Sequence, residues 1–172
     1  MDIVVRPEGA IHVADWGAGA RRCAVGVNGI GEKLREGDGL TPAGRWPLRR
    51  VLYRADRIKP PLTQLPFAQI DPDDAWCDVP SDPNYNRLVK LPYAGLGASL
   101  EESLWREDPL YDLIVVVGYN DSPVVPGRGS AIFLHLARPD YGPTQGCVGL
   151  SRDDLTEALA QLGRANRLVI TP

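Results

Sequence analysis

The feature that most constrains the fold of this chain is a series of short apolar runs separated by Gly or Pro. Three such runs, residues 3–5, 11–16 and 22–27, occupy the first 27 positions. Apolar runs of this length between turn formers are typical of β-strands. Asn28-Gly29 predicts a hairpin turn, because both residue types tolerate positive φ. The opening therefore predicts a β-meander and argues against a doubly wound α/β enzyme.

The same alternation of short runs and turns continues along the chain. Residues 47–53 and 167–170 are strand-like, and residues 112–119 predict a strand that is buried on both faces. The apolar run 131–134 should return antiparallel to that strand. A short helix is expected over residues 99–105, with Ser99 as its N-cap and Glu102 as the capping-box partner.

A longer helix is predicted to begin after Ser151, which is a good N-cap residue and is followed by acidic residues in the first turn. Leu155, Leu159 and Leu162 recur at helical spacing and should face the core. Gly163 should end this helix. The predicted fold class is mostly β, a curved sheet or sandwich with one or two helices.

Length and composition limit the classes of protein to which the chain can belong. A chain of 172 residues is long enough for one domain with a proper core, so residues 1–172 are expected to form a single domain. A net charge of −3 with mixed signs argues against a nucleic-acid surface. No apolar run approaches the roughly 20 residues that span a bilayer. The N-terminus shows no basic region followed by a long apolar core, so no signal peptide is visible.

Three cysteines, Cys23, Cys77 and Cys147, are too few for a disulfide scaffold. A Cys23–Cys77 bridge stays open, since pairing cannot be read from sequence. A structural zinc site is not expected, because the chain has two His and no Cys-x-x-Cys or His-x-x-x-His pair. No metal or cofactor is predicted.

The most informative stretch is residues 129–150, in which an apolar run ends at His135 and a loop leads to Cys147. A rigid strand end can aim the imidazole, and the polar, Gly-flanked turn around Cys147 is a poor place for a cysteine that only fills the core. A nearby His gives a thiol a route to the thiolate. Gly146 allows backbone dihedrals that would bring N–H groups toward an oxyanion. We therefore interpret Cys147 as a nucleophile and His135 as its base.

This stretch resembles the signature of the L,D-transpeptidase (YkuD-type) catalytic domain: a His at a strand end, a loop, Ser/Thr-His-Gly-Cys, a hydrophobic residue, and Arg or Asn. Here the second half is TQGCVG, with Gln145 in place of His and Gly149 in place of Arg or Asn. A second landmark of the family, Thr-Pro-x-Gly-x-aromatic, occurs at residues 41–46, in the usual order. The resemblance covers most of the chain.

The resemblance implies a Cys nucleophile at 147, a His base at 135 and a carbonyl at Leu136 that orients the imidazole. The N–H groups of Gly146 and Cys147 would hold the oxyanion. The missing family Arg usually helps to hold a carboxylate-bearing substrate. Arg128, Arg138 or Arg152 could replace it, and Arg138 is favoured because it follows His135 by three residues. The candidate substrate-binding residues are Arg138, Tyr141, Thr144, Gln145, Tyr119 and Trp46.

The implied function is peptidoglycan cross-linking between a donor and an acceptor stem peptide through a cysteine thioester. Gln145 and Gly149 suggest an unusual donor position. Alternatives are an L,D-carboxypeptidase or endopeptidase that uses the same site, a non-catalytic wall-binding module, and a cytoplasmic thiol enzyme acting on another amide. Action in the periplasm or cell wall is expected from the resemblance. The oligomeric state is not readable, and a monomer is the default expectation.

Overall fold

A computed structural model describes residues 1–94 and 103–172. The strands are β1 Ile3–Glu8, β2 Ile11–Asp15, β3 Arg21–Cys23, β4 Ile30–Gly31, β5 Thr41–Pro42, β6 Gly44–Tyr53, β7 Phe67–Gln69, β8 Asp74–Cys77, β9 Arg87–Lys90, β10 Leu113–Val117, β11 Phe133–Leu136, β12 Val148–Leu150 and β13 Arg167–Ile170. A 3-10 helix covers Pro109–Tyr111, and the α-helix α1 covers Arg152–Gln161.

One nine-stranded sheet organises the molecule, in the order β12-β11-β10-β6-β13-β1-β2-β3, with β7 beside β6. Its two ends meet: the backbone N–H of Ala24, just after β3, donates to the carbonyl of Gly149 in β12 at 2.8 Å, and the Gly149 N–H returns the bond at 2.9 Å. The sheet is therefore curved and nearly closed, as the mostly-β prediction required.

The core lies inside this curved sheet and beneath α1. All five residues of β10 are buried, which confirms the strand predicted to be buried on both faces. Ser151 caps α1 by accepting the N–H of Asp154 at 3.1 Å, and Leu155 and Leu159 are fully buried. At about 25 cal/mol per Å² of apolar surface, each buried leucine contributes on the order of 2 kcal/mol.

Several local predictions are confirmed. The opening meander forms through antiparallel β1–β2 and β2–β3 pairs. Strand β11 runs antiparallel to β10. The helix begins after Ser151, and Leu162 is buried like the two other core leucines.

Two local predictions are corrected, and a third falls partly outside the described residues. The turn at Gly29 forms, but the strand that follows it, β4, pairs in parallel with β5 instead of completing a hairpin. Helix α1 ends at Gln161 with Leu162 in an extended conformation, so Gly163 is not its left-handed cap. Residues 99–102 of the expected short helix lie outside the described residues, and Ser103, which the structure does describe, forms an isolated β-bridge with Ala75.

The cysteines are all free and buried. Cys23 belongs to the main core, whereas Cys77 lies in a separate small cluster with Ala75, so the possible Cys23–Cys77 bridge is not formed. Across residues 1–94 and 103–172, no helix is long and apolar enough to cross a membrane.

Candidate active site

Successive side chains of β11 point alternately toward the core and toward the candidate site. Leu134 and Leu136 point into the main core inside the sheet. Phe133 and His135, two residues apart, therefore share the opposite face. Phe133 packs there in a second cluster that also contains Cys147. The period of the strand thus places the imidazole on the same side as the thiol.

Parallel pairing of β11 with β12 brings the two groups together across the 12-residue separation. The register pairs Leu134 with Val148 and His135 with Gly149. Cys147 immediately precedes β12, so it lies level with Phe133, and the Phe133 N–H donates to Cys147 Sγ at 3.4 Å. The pairing of β11 with β12 therefore holds the thiol next to the strand that carries the imidazole.

The thiol has a second backbone partner. Cys147 Sγ donates to the carbonyl oxygen of Ala131 at 3.2 Å. Ala131 has φ +53°, a left-handed conformation that is uncommon for alanine. Its N–H donates to Asn86 Oδ1 at 3.0 Å, and Asn86 Nδ2 donates to the carbonyls of Tyr119 and Asn120 at 3.0 and 2.9 Å. The buried amide of Asn86 thus fixes the turn that aims the carbonyl at sulfur.

The loop before Cys147 is shaped by Gly146 and Thr144. Gly146 has φ +135°, and a Cβ there would lie 2.8 Å from the carbonyl oxygen of Leu40, so only glycine fits. Thr144 Oγ1 donates to the Cys147 carbonyl at 2.7 Å and accepts the Gly146 N–H at 3.1 Å. Of the two N–H groups expected to hold an oxyanion, that of Gly146 is therefore occupied. The Cys147 N–H has no acceptor in the part of the chain that the structure describes.

The second landmark of the sequence lies directly behind this loop. Thr41 Oγ1 accepts the Gly26 N–H at 2.7 Å and donates to the Cys147 carbonyl at 3.4 Å. Two threonine hydroxyls, from positions 41 and 144, thus converge on one carbonyl and fix the backbone of Cys147.

The tautomer of His135 follows from one hydrogen bond. Nδ1 lies 2.8 Å from the carbonyl oxygen of Leu136, which can only accept, so Nδ1 carries the proton and Nε2 is the free base. The ring edge packs against Tyr111, with the centroids 5.4 Å apart. The imidazole is therefore oriented by the sequence-predicted carbonyl and by an aromatic wall.

Burial makes both reacting groups neutral at rest. Desolvation lowers the pKa of His135 to about 4, although its bond to the Leu136 carbonyl opposes this. Desolvation raises the pKa of Cys147 to about 11, with the Phe133 N–H acting in the opposite direction. Both shifts favour the neutral forms, a thiol and an uncharged imidazole, at pH 7.

Both groups line one cavity of about 440 Å³. Cys147 lies on its wall with Ala131 and Phe133, and His135 lies nearby with Tyr111. Its charged lining residues are Lys33, Glu36, Asp78, Arg106 and Arg138. A volume of this size suits a peptide segment or small ligand.

Three of the six candidate substrate-binding residues reach this cavity. Arg138, Thr144 and Gln145 line it. Tyr141 lies beneath Arg22, whose guanidinium carbon is 4.8 Å from the ring centroid, and borders a separate pocket of about 320 Å³.

Trp46 and Tyr119 are not among the lining residues of the cavity. Their rings pack edge to face, with centroids 5.0 Å apart. The Trp46 indole N–H donates to the Pro42 carbonyl at 3.0 Å, and the Tyr119 hydroxyl donates to the Arg128 carbonyl at 2.6 Å. Their polar atoms hold loops together through these hydrogen bonds.

Sequence reasoning missed Lys33, Glu36 and Arg106 as lining residues. None belongs to a motif, and their loops are brought to the cavity only by tertiary structure. Arg106 pairs with Asp108 at 2.6 Å and lies over the Tyr111 ring at 5.1 Å. The only sequence signal was their charge, which surface residues share.

A cluster of Asp71, Asp73 and Asp74 has the spacing of a cation site. Lys90 Nζ occupies its centre, with contacts of 2.7, 3.0 and 2.8 Å to the three carboxylates. The cluster is therefore a salt-bridge network beside β9.

The family of the chain follows from a comparison with known proteins. A family model described as the L,D-transpeptidase catalytic domain (YkuD) matches residues 3–170. No curated protein and no solved structure matches the chain. The match extends from the first strand to the last and includes both His135 and Cys147, and the chain belongs to the L,D-transpeptidase catalytic domain family.

Proposed function

We propose that this protein is a peptidoglycan L,D-transpeptidase that joins stem peptides through a thioester on Cys147. The observation that carries the proposal is the convergence of Cys147 and His135 on one cavity, from adjacent parallel strands. Family membership supports peptidoglycan as the substrate. The site is expected to act in the periplasm or cell wall, as one catalytic unit over residues 1–172.

The first step is general-base catalysis. As Sγ attacks the donor carbonyl, the proton of the thiol passes to Nε2 of His135, and the imidazolium then protonates the departing amine. The C–S bond forms, the C–N bond breaks, and the enzyme is left as a neutral thioester. The Phe133 N–H, 3.4 Å from Sγ, stabilises negative charge on sulfur during attack.

The oxyanion of the tetrahedral intermediate needs donors beside Cys147. The backbone N–H of Cys147 supplies one. The Gly146 N–H becomes a second when it exchanges the Thr144 hydroxyl for the oxyanion, because the oxyanion is the stronger acceptor. Gln145, which is exposed at the cavity, replaces the usual His of the family with a neutral amide.

Arg138 is proposed as the anchor for a substrate carboxylate. It is exposed and lines the cavity three residues after His135, and no acceptor engages its guanidinium in the described part of the chain. Arg106, in contrast, is already paired with Asp108. An anchor at position 138 instead of 149 shifts the carboxylate along the cleft, which favours an unusual donor position in the stem peptide.

The test is intact-protein mass spectrometry of the wild type and Cys147→Ala with purified disaccharide-peptides. A Cys147-dependent acyl adduct and joined products are expected, and the adduct mass identifies the donor residue. Shortened peptides without joining would indicate the carboxypeptidase or endopeptidase instead. Wall binding that is equal in both proteins, with no adduct, would indicate a binding module. If the digested wall contained only the usual 3–3 cross-links between stem peptides, an unusual donor position would be excluded.

A further inference from the structure

The cavity wall carries charges of both signs. Burial is the main cause of the low pKa of His135, the guanidinium groups of Arg106 and Arg138 lower it further, and the Asp108 carboxylate opposes them. Glu36 is a separate carboxylate on the wall and lies beside Ser130.

The carboxylate of Glu36 is held by one of its two oxygens. Oε2 accepts hydrogen bonds from the hydroxyl of Tyr85 and, at 2.8 Å, from the hydroxyl of Ser130. The Tyr85 hydroxyl in turn accepts the Gly129 N–H at 3.0 Å. Within residues 1–94 and 103–172, Oε1 has no hydrogen-bond or salt-bridge partner. A fixed carboxylate thus offers one free oxygen on the wall of the cavity.

The same contacts place this carboxylate close to the nucleophile. Ser130, which binds Oε2, is bonded directly to Ala131. The carbonyl of Ala131 accepts the Cys147 thiol at 3.2 Å. Glu36 is therefore connected to the sulfur through its hydrogen bond with Ser130, the chain from Ser130 to Ala131, and the hydrogen bond between the Ala131 carbonyl and the thiol.

Lys33 does not neutralise Glu36. Its ammonium pairs with Asp38 Oδ1 at 2.5 Å and contacts the Leu40 carbonyl at 3.5 Å. Both side chains of that pair are buried, at 2% and 8% exposure. Lys33 is thus paired with Asp38 in its own loop. The free oxygen of Glu36 is available to a cation of a bound ligand.

We infer that Glu36 binds the ammonium group of the acceptor and so selects an amine over water as the second substrate. This rests on the proposed function, which supplies the thioester. An ammonium held at Oε1 is brought to the Cys147 side of the cavity, while Arg138 holds the carboxylate of the donor. Charge-assisted hydrogen bonds are the stronger class, so loss of the charge at position 36 should be felt directly in acceptor binding.

In the acceptor step, the ammonium first loses one proton to solvent, and the resulting amine attacks the thioester carbonyl through its lone pair. The C–N bond forms and the C–S bond breaks. The amine gives its second proton through Nε2 of His135 to the departing thiolate. The products are the new amide and the Cys147 thiol, and one proton is released overall. Glu36 takes no part in bond making, so its effect falls on acceptor binding.

The experiment compares Glu36→Gln with the wild type after acylation by a disaccharide-peptide donor. Glutamine keeps a carbonyl oxygen for Tyr85 and Ser130 but removes the charge. Two nucleophiles are titrated: a disaccharide-peptide with a free side-chain amine, which is an ammonium at neutral pH, and hydroxylamine, which is uncharged. We expect at least a tenfold rise in the KM for the first, with acyl-enzyme formation and hydroxylamine capture unchanged.

Glu32→Gln is the matched control. Glu32 is exposed on the same loop, does not line the cavity, and gives the same change in net charge. It should leave the KM for both nucleophiles unaltered. An unchanged KM for the amine in Glu36→Gln, or an equal loss with hydroxylamine, would overturn the inference.

Direct binding separates failure of the inference from failure of the proposed function. Calorimetry measures the affinity of the amine-bearing disaccharide-peptide for Cys147→Ala, which cannot be acylated, and for the double variant that carries Cys147→Ala and Glu36→Gln. A tenfold weaker affinity in the double variant supports the ammonium site, even if no acyl-enzyme ever forms in the wild type. Equal affinity contradicts it. Absence of an acyl-enzyme by itself overturns only the transpeptidase reaction.

Discussion

The thiol of Cys147 donates a hydrogen bond to the carbonyl oxygen of Ala131, 3.2 Å away. A carbonyl oxygen accepts from a thiol but repels a thiolate, so this contact stabilises the protonated form. We therefore expect the resting thiol to stay protonated and to become a thiolate only when His135, its proposed base, removes the proton during attack. That arrangement differs from a preformed thiolate–imidazolium pair.

A thiol that is held in its protonated form should react slowly with simple alkylating agents. Since the pKa of Cys147 is raised to about 11, we expect its alkylation by iodoacetamide to be slow at pH 7 and to rise about tenfold per pH unit toward pH 11. Peptide mass spectrometry distinguishes Cys147 from Cys23, whose pKa is raised to about 12. A plateau below pH 8 would show a preformed thiolate.

Asn86→Ala tests whether the Asn86 side chain holds the Ala131 carbonyl in its position beside the thiol. The change removes the acceptor of the Ala131 and Trp76 N–H groups and the amide donor to two backbone carbonyls, so we expect a loss of about 2–4 kcal/mol in the free energy of unfolding. Relaxation of the left-handed Ala131 should also turn its carbonyl from sulfur and lower the pKa of Cys147.

The groups that titrate around this thiol are His135 and Tyr111, and Lys33 is the nearest cation. They remain unchanged in Asn86→Ala, so a shift in the alkylation profile would report the loss of the contacts that Asn86 makes to Ala131 and Trp76. Asn84→Ala is the control, because Asn84 is exposed and bonds Tyr93 away from the site. Identical profiles for Asn86→Ala and the wild type would contradict the mechanism.

The buried imidazole should make stability depend on pH. The pKa of His135 falls from 6.5 in the unfolded chain to about 4 in the folded protein, so the unfolded state binds more protons between those values. Stability from this group is complete above pH 6.5 and is lost as the pH falls toward 4, by on the order of 3 kcal/mol.

Urea unfolding of wild type and His135→Gln between pH 7 and 4 measures this contribution. The variant should lack the contribution of His135. If the free energy of unfolding fell equally with pH in both proteins, the loss of stability would come from other groups. In the wild type, the acidic limb of acyl-enzyme formation should fall near pH 4, since Nε2 accepts a proton only while the ring is neutral.

The sequence predicted the parts of the fold that depend on local pattern. The buried run of β10, the strand that ends at His135 and the helix capped by Ser151 all followed from apolar spacing and capping chemistry. Periodicity of two and 3.6 residues is visible in one chain without tertiary information, which is why these elements could be assigned.

The sequence did not reveal how distant segments meet. Lys33, Glu36 and Arg106 reach the site through loops whose paths depend on long-range packing, and their residue types are common on any surface. Trp46 and Tyr119 were expected to bind substrate because aromatic residues near a motif suggest recognition. In the structure, their polar atoms donate to backbone carbonyls, and sequence alone does not show these contacts.

Gly146→Ala should destabilise the protein and abolish acylation. At φ +135° a side chain is strained, and its Cβ would lie 2.8 Å from the carbonyl oxygen of Leu40, which is backbone and cannot move freely. We expect a loss of about 2–4 kcal/mol, measured by urea unfolding. Relief of the contact would shift Cys147 away from its bonds to Ala131 and Phe133, so no acyl adduct should form.

Gly9→Ala provides the matched control for strain alone. Gly9 has φ +62°, and a Cβ there would meet no atom within 4 Å, so the cost should be only about 1–2 kcal/mol. The adduct should still form, because β1 and β2, which Gly9 connects, lie away from the cavity. If both variants lost the same stability and both kept the adduct, the close approach of Leu40 to Gly146 would have no role in holding the nucleophile.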